Sequence, residues 1–341
     1  MKRFLLFTLT AISTVVTCAA AEPAPGPQII NVQSRNTVSL DGVWKTIVDP
    51  YENGYYDYRR KPLKDKSSYF ADADFNEDRT RLLEYNFNTD RTLLVPGDWN
   101  TQRDRLYYYE GTVWYRKRFQ YEPKPDTRTF LYFGAANYEA IAGLNGKKIG
   151  RHVGGYTPFN FEVTDNLVKG ENSLIVKVDN KRHLDGVPTV NSDWWNYGGL
   201  TRSVMLVETP ETFIRDYYLQ LRKDSTTEAF GWIRLDGKQS EQNVIVEIPE
   251  LKIKKKVRTD ANGYAEISFK FSPELWSPEN PKLYDVSFTS ETDSIKDRIG
   301  FRTISTKGTD ILLNGKKIFC RGVSIHEEMP YGMSGRSYSE E

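Results

Sequence analysis

A histidine beside two carboxylates is the part of the sequence with the clearest potential for chemistry. His326, Glu327 and Glu328 follow a short stretch of alternating apolar residues. Such alternation predicts a buried strand that ends at the histidine. Because neighbouring residues on a strand point in different directions, Glu327 and Glu328 cannot act as two facing carboxylates. The segment indicates one wall of an active site, although on the residues alone the simpler interpretation is that His326 caps the strand.

A second candidate site lies at Asp193, Trp194 and Asn196. A carboxylate can accept hydrogen bonds from two hydroxyl groups of one sugar ring, and an indole face can pack on the C–H surface of that ring. These side chains therefore suit a pyranose. The alternative is structural: an Asx turn next to a tryptophan pair, Trp194 and Trp195, that is buried at a domain interface.

Composition narrows the choice of partner. The 47 Lys and Arg residues balance 46 Asp and Glu residues, so no net field attracts nucleic acid, and we expect none as a partner. Aromatic residues make up 13% of the chain, which suits either carbohydrate binding or an all-β core. The run from Tyr107 to Tyr109 could stack on an extended glycan. On a strand, however, consecutive residues face opposite ways, so at most two of the three would share a face.

No other catalytic set is evident in the sequence. Residues 332–336 lack the second glycine spacing of a nucleophile elbow. His152, His183 and His326 are the three histidines, and they form no metal-binding pattern. We therefore expect no catalytic residues and no resident cofactor in this chain.

The N-terminal residues predict export. Lys2 and Arg3 precede an apolar run, residues 4–16, and a small-residue stretch that ends at Ala21. This is the pattern of a secretory signal, so we expect cleavage after Ala21 and a periplasmic or extracellular location. Lipidation of Cys18 is the alternative, which would anchor the protein to a membrane. No other stretch is long and apolar enough to span a bilayer.

The remaining chain is predicted to be mainly β, because short alternating runs are separated by turn residues. Residues 22–208 predict a sandwich of jelly-roll size, with strands near residues 113–119, 129–133, 173–178 and 203–207. Within it, the segment 51–90 is predicted to be a surface excursion. The simplest interpretation of its charged residues is that they face the solvent. Residues 209–303 predict an immunoglobulin-like sandwich. Residues 304–341 begin a third unit with a hairpin around Asn314-Gly315.

The order of several motifs resembles glycoside hydrolase family 2, the family of β-galactosidases, β-glucuronidases and β-mannosidases. The resemblance covers the chain from about residue 40 to residue 330. The motifs are Leu40-Asp41-Gly42-Val43-Trp44, Val95-Pro96-Gly97-Asp98-Trp99-Asn100, Gly111-Thr112-Val113-Trp114-Tyr115-Arg116, Asp193-Trp194-Trp195-Asn196-Tyr197-Gly198-Gly199-Leu200, Ile299-Gly300-Phe301-Arg302, Arg321-Gly322-Val323 and His326-Glu327.

The resemblance implies a jelly-roll domain and an immunoglobulin-like domain in front of a (β/α)8 catalytic barrel. This chain would contain only the first strand of that barrel, and the two glutamates of retaining hydrolysis would lie beyond residue 341. By resemblance, His326 and Glu327 line the sugar subsite. Asp193 reaches it from the first domain with Trp194 and Asn196, in some β-galactosidases through a sodium ion.

Two functions follow as expectations. In the first, the chain is the N-terminal part of an exported exo-β-glycosidase that acts on a β-linked glycan, with a slight preference for β-galactosidase over β-glucuronidase. It would be inactive alone, and the complete enzyme could be a homo-oligomer with a bound sodium or magnesium ion. In the second, the chain is a carbohydrate-binding or assembly module without hydrolytic activity.

Overall fold

The computed structural model describes residues 23–72, 86–88, 91–192 and 195–324. The fold is mainly β, as predicted, and every strand pair in these residues is antiparallel. None of the helices in this part of the chain has the length and apolar character needed to cross a membrane.

The strands before residue 211 are β1 (Asn36–Ser39), β2 (Gly42–Val48), β3 (Thr92–Val95), β4 (Thr112–Tyr121), β5 (Thr127–Phe133), β6 (Glu139–Leu144), β7 (Lys147–Val153), β8 (Phe159–Glu162), β9 (Gly170–Asp179) and β10 (Val204–Pro210). Those that follow are β11 (Phe213–Leu221), β12 (Glu228–Asp236), β13 (Asn243–Ile248), β14 (Ile253–Arg258), β15 (Tyr264–Lys270), β16 (Tyr284–Thr289), β17 (Ser294–Ile299), β18 (Ile304–Lys307), β19 (Asp310–Leu313) and β20 (Lys316–Lys317). One α-helical turn, α1, spans Trp99–Gln102. Short 3-10 turns lie at Val32–Ser34, Asp65–Ser67, Tyr69–Ala71, Asp104–Leu106, Thr164–Asn166 and Pro249–Leu251.

The first ten strands form a sandwich of two sheets. A six-stranded sheet in the order β3-β2-β4-β9-β6-β7 packs on a four-stranded sheet in the order β1-β10-β5-β8. Alternation along β4 explains the packing, since Val113 and Tyr115 point into the core between the sheets and Trp114 points to the other face. The predicted strands of this region are therefore confirmed.

The outer face of the six-stranded sheet is covered by the excursion after β2. Phe70 is 1% exposed and packs on Trp114 with ring centroids 5.0 Å apart. Glu52 is also buried, and its carboxylate lies 3.0 Å from the Lys177 ammonium and 3.2 Å from that of Lys181. The expectation that the charged residues of this segment are solvated is thus wrong for Glu52. Both faces of the sheet carry apolar residues, so the excursion must cover one of them.

The exposed edge of the six-stranded sheet is protected by side chains. At the edge strand β3, the side-chain oxygen of Gln102 accepts from the Leu94 N–H at 2.7 Å, and its amide donates to the Leu94 carbonyl at 3.1 Å. Arg103 donates to the Thr92 carbonyl at 2.8 Å. The end of α1 therefore satisfies backbone groups that would otherwise invite another strand.

The next seven strands form a second sandwich, with sheets β11-β12-β15 and β14-β13-β16-β17 around one apolar core. Charged side chains join it to the first sandwich. Arg128 on β5 contacts Glu162 on β8 and Asp236 on β12, each at 2.8 Å. Arg215 on β11 also pairs with Asp236. Asp236 thus connects one arginine from each sandwich.

The last described strands form a small sheet in the order β18-β19-β20. The hairpin predicted around Asn314-Gly315 is confirmed, with Leu313 opposite Lys316. The structure differs from the prediction after this point, because residues 321–324 form no strand and Val323 is 83% exposed. A buried strand needs neighbours, and none of the described residues pairs with this segment. The barrel assigned to residues 304–341 stays a prediction.

Candidate sugar-binding site

Two loops meet at one end of the first sandwich because the strands that carry them are paired. Thr112, at the start of β4, lies opposite Asp179, at the end of β9. The loop of residues 96–111 therefore enters β4 where the loop of residues 180–203 leaves β9. We call these the first and second rim loops, and together they form the candidate site.

The first rim loop begins with a capped helical turn. The Asp98 carboxylate accepts from the Thr101 N–H at 2.8 Å and caps α1. Asp98 is 1% exposed, and burial raises the pKa of its carboxyl above the usual range despite these hydrogen bonds. Trp99 is fully buried and donates from its indole nitrogen to the Tyr109 carbonyl at 3.2 Å. The turn is a fixed support for the residues that follow.

Asn100 holds the rest of the first rim loop in place. Its side-chain amide points at the carbonyl oxygens of Leu106, Tyr107 and Tyr109, at 3.0, 3.2 and 3.1 Å. Its side-chain oxygen accepts from the Gly198 N–H at 2.9 Å. Because Gly198 belongs to the second rim loop, one buried side chain joins both loops.

Three further asparagines fix the second rim loop. The Asn180 amide donates to the Asn196 carbonyl at 2.7 Å, and the Asn196 amide donates in return to the Asn180 carbonyl. Asn137 donates to the Asn196 side-chain oxygen at 2.9 Å and to the Tyr197 carbonyl at 2.7 Å. Amides serve this purpose because each carries both donors and an acceptor without a charge to bury.

Of the five predicted site residues, the structure describes only Asn196. Asp193, Trp194, His326 and Glu327 lie outside the described residues. Asn196 is 4% exposed, and both ends of its side-chain amide are used within the protein. Its position therefore supports a role in holding the loop that carries Asp193, and its role as a direct sugar contact stays a prediction.

A small pocket of about 120 Å³ opens between the two rim loops. Its walls combine polar and aromatic side chains. They consist of Asn100, Tyr107, Tyr108, Glu110, Arg182, Trp195 and Asn196. Arg182 donates to the Glu110 carboxylate at 2.9 Å and to the Ser192 carbonyl at 2.9 Å. The guanidinium thus ties the pocket to the residue directly before Asp193.

The aromatic wall corrects one expectation from the sequence. Tyr107 and Tyr108 lie in a turn after Asp104–Leu106, so residues 107–109 do not alternate as they would on a strand. Tyr107 and Tyr108 both contact Trp195, with ring centroids 4.8 and 5.4 Å apart. Tyr109 turns inward and donates its hydroxyl to the Thr112 carbonyl at 2.9 Å. Two consecutive tyrosines therefore share one face.

The asparagine network and the contact with Trp195 were not anticipated. Asn137 and Asn196 are 59 positions apart, and Asn100 and Gly198 are 98 positions apart. The available signal was the presence of asparagines in loops between buried strands.

The described residues contain no group of His, Cys, Asp or Glu side chains that could hold a metal ion.

The chain matches two family models in sequence order. Residues 38–210 match the sugar binding domain of glycosyl hydrolases family 2, and residues 212–302 match a second domain model of the same family. A putative β-glucuronidase from Formosa agariphila is 28% identical over 230 residues, which cover 63% of this chain and 28% of that protein. A β-galactosidase from Thermoanaerobacter pseudethanolicus is 30% identical over 242 residues, which cover 65% of this chain and 33% of that protein.

A solved structure shows a similar relationship. A Bifidobacterium dentium β-glucuronidase complexed with coumarin-3-O-glucuronide superposes with a TM-score of 0.71 at 26% identity. The match covers 92% of this chain and 55% of that one. Across these three proteins, the chain spans 28% to 55% of the relative's length.

Proposed function

Because the chain belongs to glycoside hydrolase family 2, we propose that it supplies the sugar-contacting front of an exported exo-β-glycosidase. The observation that carries this proposal is the pair of rim loops held together by Asn100 and Asn180. A loop fixed at both ends can present a carboxylate and an aromatic face to a sugar at low entropic cost. Asp193 and Trp194 lie on that loop in the sequence.

The proposed reaction is retaining hydrolysis of a terminal β-glycosidic bond. One carboxyl group protonates the leaving oxygen and a second, about 5 Å away, attacks the anomeric carbon. Both glutamates would come from a barrel that follows this chain. In the proposal, Asp193 accepts hydrogen bonds from sugar hydroxyl groups, and His326 with Glu327 forms the neighbouring wall of the subsite. These contacts orient the sugar ring for attack.

A sodium or magnesium ion stays part of the proposal for the complete enzyme only. No step above depends on such an ion, since the sugar hydroxyl groups can bond directly to the Asp193 carboxylate. The export signal, with lipidation of Cys18 as its alternative, likewise stays a prediction.

We propose two classes of substrate, β-galactosides and β-glucuronides. Relatives named β-galactosidase and relatives named β-glucuronidase both match this chain, so their names support both substrates. The slight preference for a β-galactoside stays a prediction. A direct comparison of galactoside and glucuronide hydrolysis decides between them.

The test uses the complete gene product, read from the coding DNA past the codon for Glu341. We expect it to hydrolyse an aryl β-galactoside or β-glucuronide and to release the β-anomer first, which proton NMR detects. The 341-residue chain, as the matched control, should be inactive on the same substrates. Binding without hydrolysis by the complete product would favour the carbohydrate-binding module, and turnover by the 341-residue chain would contradict the proposed division of labour.

A further inference from the structure

Three aromatic rings form an exposed surface beside the pocket between the rim loops. The Tyr107 and Tyr108 rings contact each other at 4.9 Å, and both contact Trp195. Tyr108 is 82% exposed and Tyr107 is 41% exposed. Large aromatic side chains bury most of their surface when nothing else requires them to stay outside. We call these three rings the aromatic platform.

The platform is held rigidly although its rings are exposed. The Tyr107 carbonyl accepts from the buried Asn100 amide at 3.2 Å. Trp195 directly precedes Asn196, whose side chain is bonded to Asn137 and Asn180. The backbone of both rim loops is therefore fixed beneath the rings. A preformed platform loses little conformational entropy when a ligand stacks on it.

Polar groups border the platform on one side. One oxygen of the Glu110 carboxylate accepts from Arg182, and the other has no hydrogen-bond partner among the described residues. The pocket of about 120 Å³ has room for about four water molecules. Hydroxyl groups at the edge of a sugar ring could take the places of such waters.

We infer that the aromatic platform is a subsite for a second pyranose unit, next to the terminal sugar that is released. Tyrosine and tryptophan faces attract the C–H surface of a pyranose, and the open Glu110 oxygen can accept its hydroxyl protons. The substrate is then an oligosaccharide or polysaccharide, and the inference rests on the proposed function for this choice of ligand. Trp195 lies two residues after Asp193, so the two subsites share one loop.

Binding by the full 341-residue chain tests the subsite without hydrolysis. The probes are a β-1,4-linked galactotetraose and a tetrasaccharide of β-1,4-linked glucuronic acid, with affinity measured by isothermal titration calorimetry. We expect at least one probe to bind. Tyr108→Ala and Trp195→Ala should each weaken binding by about fivefold or more, because each removes a stacking face. Tyr108→Phe keeps the face and should stay within about twofold of the wild type.

Tyr58→Ala is the matched control, since Tyr58 is 86% exposed and lies in the excursion after β2, outside both rim loops. It should leave binding unchanged. The inference is overturned if neither tetrasaccharide binds, if Tyr108→Ala binds as the wild type does, or if Tyr108→Ala alters only the oligomeric state. The proposed function fails separately, when the complete gene product hydrolyses no β-glycoside although the platform binds a tetrasaccharide.

Discussion

Asn180 and Asn196 exchange hydrogen bonds, each donating its side-chain amide to the backbone carbonyl of the other. The exchange closes the base of the second rim loop, so residues 181–195 begin and end at one point. Asn180 also accepts from the Gly111 N–H at 2.9 Å, which attaches this base to the first rim loop. The loop that carries the proposed sugar contacts is thus held at its base by side-chain amides that do not need to touch the sugar.

Replacement of Asn196 by alanine should destabilise the protein. The change leaves the Asn180 carbonyl and the Asn137 amide without their partners in a buried place, at a cost of about 2–3 kcal/mol. Urea unfolding followed by circular dichroism measures this loss. Asn262→Ala is the control, because Asn262 is exposed in a turn and should change the free energy of unfolding by less than about 0.5 kcal/mol. Equal losses in the two variants would show that the network adds no stability.

The buried carboxylate of Glu52 should make stability depend on acid pH. Burial alone would raise its pKa, but Lys177, Arg60 and Lys181 outweigh burial and lower the pKa to about 2. A lowered folded-state pKa means that the stabilisation is complete above the unfolded-state value and is lost as the pH falls towards 2. Acid titration of the free energy of unfolding should therefore show a loss between about pH 5 and pH 2.

Glu52→Gln tests this origin. The variant should lose about 3 kcal/mol at neutral pH, because Lys177 stays buried without its nearest carboxylate, and its acid dependence should be shallower. Glu122→Gln is the control, since Glu122 pairs with Lys169 on the surface and should cost less than about 0.5 kcal/mol. An unchanged acid profile in Glu52→Gln would rule out this carboxylate as the source.

Gln102 should protect the edge of the six-stranded sheet from self-association. Gln102→Ala removes both hydrogen bonds to Leu94 and exposes the backbone of β3. We expect a loss of about 1 kcal/mol and more dimer or aggregate at high protein concentration. Light scattering after size-exclusion chromatography detects the second effect. Gln239→Ala, at an exposed position in the second sandwich, should behave as the wild type. An unchanged molar mass in Gln102→Ala would contradict the protective role.

Local patterns were sufficient to predict much of the fold. Alternation identified β4 and β9, and the Asn314-Gly315 turn identified its hairpin, because these features depend on neighbours in the sequence. The cover over Trp114 was missed, since its contacts with Phe70 join residues 44 positions apart without periodicity. Glu52 was also predicted to be exposed because of its charge. The sequence does not show that its carboxylate pairs with Lys177.

The candidate site was predictable only in part. The residue types at positions 193, 194 and 196 indicated sugar binding, but the side chain of Asn196 is occupied within the loop. The platform of Tyr107, Tyr108 and Trp195 could not be derived, because it needs a turn at residues 107–108 and contacts across more than 80 positions. Sequence chemistry suggested the ligand, and the folded chain shows how the loops are held.

The most direct test of the central claim is the kcat/KM of Asp193→Ala in the complete gene product, with Asp185→Ala as the control in the same loop. Loss of one or two hydrogen bonds from sugar hydroxyl groups to a carboxylate costs about 1.5–3 kcal/mol each. We therefore expect kcat/KM of Asp193→Ala to fall by about tenfold or more, while the exposed Asp185 changes it little. Equal kcat/KM values for the wild type and Asp193→Ala would contradict the claim that the second rim loop contacts the sugar.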